Sequence, residues 1–269
     1  MKLTHALYVL TLILCSPQLI MAGDLANIAR TIAEKSQKAV VTAKVVVKMR
    51  IGQQEQEKKV ETIGTIIDSS GLTVVSASSL DPVPGLAALL KANYKQDIQI
   101  ESDVTSTALI LNDGTELEAD VVMKDANLDF AFIRPRDSSR TFDAITLKPR
   151  PTTPKVFEEI FVLSRLGGSE NRALALAEGK IRSVVKGPRQ YFLCDNNFSK
   201  DMTGCVAFGA DGFPVGIIVT KAAQGSGQLE GIIGGKEQNT QVQIPILRPV
   251  EDVIESASQA KQVKSLEKK

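Results

Sequence analysis

Histidine is almost missing from this sequence: the 269 residues contain one, at position 5. It lies in the opening stretch MKLTHALYVLTLILCSPQLIMA, where Lys2 precedes an apolar run from Ala6 to Leu14 and the segment ends at Ala22. That is the pattern of a secretory signal peptide covering residues 1–22, removed on export to the periplasm or the medium. A membrane anchor fits less well, because Ser16, Pro17 and Gln18 break the run, which is too short for a hydrocarbon core of ~30 Å. Lipid modification of Cys15 fits less well still, since bulky Leu14 precedes it. Once the leader is removed, the mature chain has no imidazole. His-based triads, zincin sites and most catalytic zinc sites are then excluded, and no metal or cofactor is expected.

Cysteine and net charge are also scarce. Of three cysteines, Cys15 leaves with the leader, while Cys194 and Cys205 remain. Two cysteines are no disulfide framework, and their spacing is not the C-x-x-C of oxidoreductases. They are either bridged across the loop between them or two buried thiols. Lys and Arg number 32 against 31 Asp and Glu, so losing Lys2 leaves a neutral chain. Nothing in that balance favours nucleic acid. The basic tail KQVKSLEKK from Lys261 reads as a solvated helix end. No later stretch is long and apolar enough for a transmembrane segment.

What the chain does contain is mostly strand. Asp24 as N-cap with Leu25, Ile28 and Ile32 on one face predicts a short helix ending near Lys38. The β-branched runs AVVTAKVVVKMR and KVETIGTIID follow, separated by polar residues. SSG turns into LTVVSA, and TSTALIL meets TELEADVVM across NDG, a strong hairpin signal. DFAFIRP is a further strand. The Pro-rich KPRPTTPK, Lys148 to Lys155, then divides the chain. Beyond it come EIFVLS, GKIRSVV, QYFLC, CVAF, FPVGIIVT and TQVQIPI, and a closing helix with Val250, Val253, Ile254 and Ala257 along one face. No sequence repeat is visible. The expected fold is all-β, two six-stranded barrels with short N- and C-terminal helices: barrel one over about 39–147, barrel two over about 156–247, and the closing helix over 249–264.

Three fragments carry a resemblance. GTIIDSSGLTVVSAS (64–78), LNDGTELEADVVMKDANLDFAFIRP (111–135) and CDNNFSKDMTGCVAFGADGFPVGI (194–217) occur in the order and spacing of the trypsin-like fold. Within that fold they are most similar to the bacterial Deg/HtrA-type serine proteases. VQIPI before the closing helix fits as well, and no PDZ module is expected after it. The resemblance places the family's histidine position on Ser78, its aspartate on Asp129 and its nucleophile on Thr203. The oxyanion glycine position becomes Asp201, followed by Met202, and Gly204, Cys205 and Val206 stand where Gly-Gly-Pro is usual.

These replacements work against acyl transfer. A hydroxyl at Ser78 cannot take and return the proton that an imidazole carries, so Asp129 has no ring to orient. Thr203 would need a nearby base, either Lys200 or another amine, and a carboxylate at Asp201 opposes a developing oxyanion. The plainer readings are a strand-start carboxylate for Asp129 and a turn residue for Thr203.

The expectation is an exported, inactive protease homologue that binds or scaffolds a protein or peptide, with oligomers open. The alternatives are an endopeptidase using Thr203 and a structural envelope protein. Asp81 to Ser102 is longer than the family's usual loop, with Leu86, Leu89, Leu90 and Tyr94 on one face of a short helix. It packs on barrel one, caps the cleft or supplies a partner surface. If the leader is cleaved, N-terminal sequencing of native protein should begin near Gly23, within about two residues. An intact Met1 in the soluble fraction would contradict export.

Overall fold

The computed structural model describes residues 22–51, 53–84, 87, 100–195, 198, 200–224 and 241–263. Leader residues 1–21 and the expected apolar face of Leu86, Leu89, Leu90 and Tyr94 lie outside the described residues, while Ala22, the last leader position, opens a helix. Helix α1 (Ala22–Ser36) is followed by a 3-10 turn, Gln37–Ala39. Ala29 and Ile32 are buried, one turn apart on the stripe that the sequence periodicity marks.

Barrel one contains β1 (Val40–Ile51), β2 (Gln54–Ile66), β3 (Thr73–Ser76), β4 (Ile100–Ile110), β5 (Glu116–Asp125) and β6 (Phe130–Pro135), closed in the order β1-β2-β3-β6-β5-β4. Barrel two contains β7 (Glu159–Arg165), β8 (Leu174–Val185), β9 (Tyr191–Cys194), β10 (Val206–Gly209), β11 (Pro214–Gln224) and β12 (Gln241–Pro249). Its order, β10-β11-β12-β9-β8-β7, is the same ring as in barrel one. Every pairing is antiparallel. Phe130, Phe132, Phe161 and Phe192 fill the cores with aliphatic side chains. A two-residue period with one face inward is what makes these runs barrel staves.

The NDG hairpin forms between β4 and β5. Leu111 N–H donates to Thr115 O at 2.9 Å, and Gly114 N–H donates to Leu111 O at 3.0 Å. Gly114 sits at φ +84°, which glycine adopts without a Cβ penalty. One sequence expectation changes: the polar run taken as a connector before Lys59 is strand, because β2 starts at Gln54 and pairs with β1 out to Ile51↔Gln54. Cross-strand charge replaces apolar patterning there, with Glu55 accepting from Arg50 at 2.9 Å and pairing with Lys48 at 2.8 Å.

Two of the contacts that hold the barrels together lie away from the Asp129 turn. Arg165 on β7 is buried, and burial pushes its guanidinium below the usual range. It donates to Val40 O at 2.6 Å, Gln37 O at 2.7 Å, Arg172 O at 3.1 Å and Asn112 Oδ1 at 2.5 Å, and thereby ties β7 to the start of barrel one. Gly204, before β10, sits at φ +86° with its carbonyl accepting from Thr65 Oγ1 of β2 at 2.9 Å. A Cβ built on Gly204 would lie 2.0 Å from Ile63 O. Helix α3 (Val250–Gln262) then returns from barrel two to barrel one. There Arg134 of β6 donates to Ala260 O at 3.1 Å and Val263 O at 2.8 Å, a cation at the negative end of the helix.

Both barrel contacts can be measured by urea unfolding. Gly204→Ala should lose about 2–5 kcal/mol, the sum of left-handed strain and a contact that no rotamer relieves. Arg165→Met should lose about 1–3 kcal/mol by removing the guanidinium that donates to Val40 O, Gln37 O and Asn112 Oδ1. An unchanged midpoint in either variant would contradict its role.

Candidate functional site

The sequence-derived positions converge where the barrels meet. After β3 the chain turns through the short helix α2 (Ala77–Leu80), capped by Ser76, whose Oγ accepts from Ser79 N–H at 3.3 Å. Opposite it, Asp129 stands in the turn before β6 at φ 60°, a left-handed conformation that Asp tolerates better than most residues.

The Asp129 carboxylate gathers donors from both barrels. Its Oδ1 accepts Ser78 N–H at 2.7 Å. Its Oδ2 accepts Thr220 N–H of β11 at 2.8 Å and Ser76 Oγ at 2.7 Å, and the Ser78 and Thr220 hydroxyls each lie 3.1 Å away. Those two hydroxyls are 2.5 Å apart. The Asp129 carbonyl also accepts Ala77 N–H at 3.0 Å. This is the strand-start reading of Asp129 extended across the barrel interface: a carboxylate holding backbone amides of α2 and β11.

Thr203 follows the 3-10 turn Lys200–Met202 and is 2% exposed. Its Oγ1 lies 2.6 Å from Ser79 Oγ. The sequence comparison put the proton-acceptor position on Ser78, but the side chain that reaches Thr203 is that of Ser79. Adjacent residues on a helical turn point about 100° apart, so one can face Asp129 and the other Thr203. Ser79 was missed because serines adjoin at 78 and 79, and no histidine marks which of them turns inward. Beyond Thr203, Gly204 N–H donates to Ile218 O at 2.7 Å and Ile218 N–H donates to Cys205 O at 3.0 Å, which pins the loop to β11. Asp201 is exposed. The Lys200 side chain lies outside the described set.

The arrangement offers two alcohols in contact at Thr203 and a carboxylate already engaged with amides and hydroxyls. No hydroxyl in this group can act as a base near neutral pH. Among the described residues there is no group of three or more His, Cys, Asp or Glu that could hold a metal ion. No described helix is long and apolar enough to cross a membrane.

The two cysteines are not bridged, which corrects the disulfide reading of Cys194 and Cys205. Cys194 is on β9 and Cys205 leads into β10. In the ring β10-β11-β12-β9-β8-β7 these strands are three places apart in either direction, on opposite walls of the barrel. A bridge needs Cα atoms within ~7 Å. Burial, with a contribution from the charge of Asp195, pushes the Cys194 thiol up to about 12. Burial alone pushes Cys205 up to about 12, against a weaker lowering by a bond from Ser164. Both thiols stay protonated and unreactive at neutral pH.

A family model described as the trypsin-like peptidase domain matches residues 32–217. A search of curated proteins finds no match. The matched span runs from within α1, through all of barrel one and α2, to the middle of β11, and so includes Ser78, Ser79, Asp129 and Thr203. With two closed six-stranded barrels meeting at those positions, the chain belongs to the trypsin-like peptidase domain family.

Proposed function

We propose that this protein is an exported, catalytically silent homologue of the Deg/HtrA-type proteases, acting in the periplasm or outside the cell as a protein- or peptide-binding scaffold. The observation that carries the reading is the pair Ser79 Oγ and Thr203 Oγ1, 2.6 Å apart. The nucleophile position faces another alcohol where the reaction needs a proton acceptor. With His5 the sole histidine of the chain, no imidazole can be supplied from elsewhere in the mature protein. Export is supported by the leader-like opening, and the Deg/HtrA assignment by the three ordered sequence fragments.

In hydrolysis, the hydroxyl proton must leave as the acyl carbon is attacked, and a proton must reach the departing amine. Ser79 can relay neither. Loss of a triad member costs on the order of 10⁶ in rate, and loss of an oxyanion donor ~10² to 10³. These losses fall on one transition state and do not multiply in full, yet the first alone hides turnover.

The purified protein should neither cleave casein nor label with a fluorophosphonate probe. Installing Ser79→His with Thr203→Ser should recover weak labelling, and adding Asp201→Gly should increase it. The Ser78→His version should recover less, since residue 78 faces Asp129. Labelling of the unmodified protein that Thr203→Val abolishes would overturn the silent reading and establish Thr203 as a nucleophile.

A further inference from the structure

Barrel one is closed, but the seam between β4 and β5 is short. The two strands pair only over Thr107–Ile110 and Glu116–Ala119. Beyond that point both continue: β4 back through Ser106 to Ile100, paired on its other side with β1, and β5 on to Asp125, paired on its other side with β6. Among the described residues the β4–β5 register ends at Thr107↔Ala119, and Ser102–Ser106 has no ladder partner in Asp120–Lys124. Two strand edges therefore face each other across a cavity of about 480 Å³.

The parting has a local cause on each side. In β4 the register with β1 skips Thr105, passing from Val46↔Ser106 to Val47↔Val104. In β5 the register with β6 skips Val122, passing from Val121↔Ile133 to Met123↔Phe132. Each skip is a β-bulge, which bends its strand and ends regular pairing. Had the β4–β5 ladder continued, Thr105 and Val122 would lie within one residue of facing each other. Thr105 Oγ1 donates to Val46 O at 3.2 Å, supporting the bulge from its own side chain. Paired bulges at the same level of two neighbouring staves hold the seam open.

We propose that this slot receives an extended segment of a partner protein, about five residues long, which adds a strand between β4 and β5 by pairing with both edges. Five residues span ~17 Å, the length of each unpaired row. The lining selects the occupant's chemistry. Ser102, Ser106 and Thr105 are small, and Val104, Val121 and Met123 are half-buried, so the slot takes small and β-branched side chains. At its mouth Asp81 is occupied by Ser102 Oγ at 2.9 Å, and Asp120 by Arg136 at 2.8 Å. Asp103 is exposed and lines the slot, and no ion pair engages it among the described residues: Lys48 opposite it on β1 pairs with Glu55 at 2.8 Å, Arg136 is held by Asp120, and Lys124 lies 4.0 Å from Asp81. The segment therefore carries a Lys or Arg at the Asp103 end. The site uses neither Thr203 nor Asp129 and does not depend on the cleft being silent.

The test is backbone hydrogen exchange on the whole protein, with and without the pentapeptide acetyl-Val-Thr-Val-Ala-Lys-amide at millimolar concentration. The slot-facing amides of Ser102–Ser106 and Asp120–Lys124 should exchange rapidly in the free protein and slow about tenfold or more with peptide, while those of Thr107–Ile110 stay unchanged. Asp103→Asn, which places no second cation opposite Lys48, should weaken the peptide about three- to tenfold while the urea midpoint stays near its value. Protection of both rows before peptide is added would overturn the proposal, because the chain itself then fills the slot. It is equally overturned by no added protection, by protection that rises with protein concentration alone, or by protection confined to α2 and the Lys200–Met202 turn.

Discussion

A carboxylate placed between two barrels has to be satisfied from both, and Asp129 imposes that condition on everything near the cleft. Its donors are amides and hydroxyls of α2 on one side and of Thr220 on the other. Thr220 fixes β11, and two residues earlier on that strand Ile218 accepts from Gly204 N–H. Gly204 in turn touches β2 through Thr65 and leaves no room for a side chain against Ile63. The circuit begins and ends in barrel one. Breaking it at Asp129 frees α2, whose Ser79 is the group that meets Thr203.

This explains how the junction can keep its shape without an imidazole. A catalytic aspartate in this family type would orient an imidazole; here the same carboxylate serves the barrel junction, a task that amides and hydroxyls are enough to fulfil. The geometry of the junction therefore does not depend on a histidine. The two protonated thiols have no part in the circuit: one lies within barrel two and the other on its far wall.

The fold was legible because strand alternation and turn residues are local. NDG, the Pro-rich connector and the β-branched runs each report on a few neighbouring residues. Features that depend on pairing across the chain were not. The start of β2 at Gln54 is decided by charges on β1, not by its own polar sequence. The separation of Cys194 from Cys205 follows from ring order, although only ten residues lie between them in the chain. Ser79 was hidden beside Ser78, since orientation on one helical turn leaves no trace in composition. The identical ring order of the two barrels is likewise invisible as a sequence repeat: an inward face needs only apolar alternation, which many unrelated side chains supply.

The grip of Arg134 on the last turn of α3 bears on the order in which the molecule is assembled. Synthesis delivers barrel one first, so β6 and its guanidinium are in place before the helix that they receive exists. The helix can dock only after β12 has closed barrel two and aimed Val250 back across the interface. Its arrival therefore reports that both halves are complete. A chain with either barrel unfinished would leave the apolar stripe of Val250, Val253 and Ala257 uncovered.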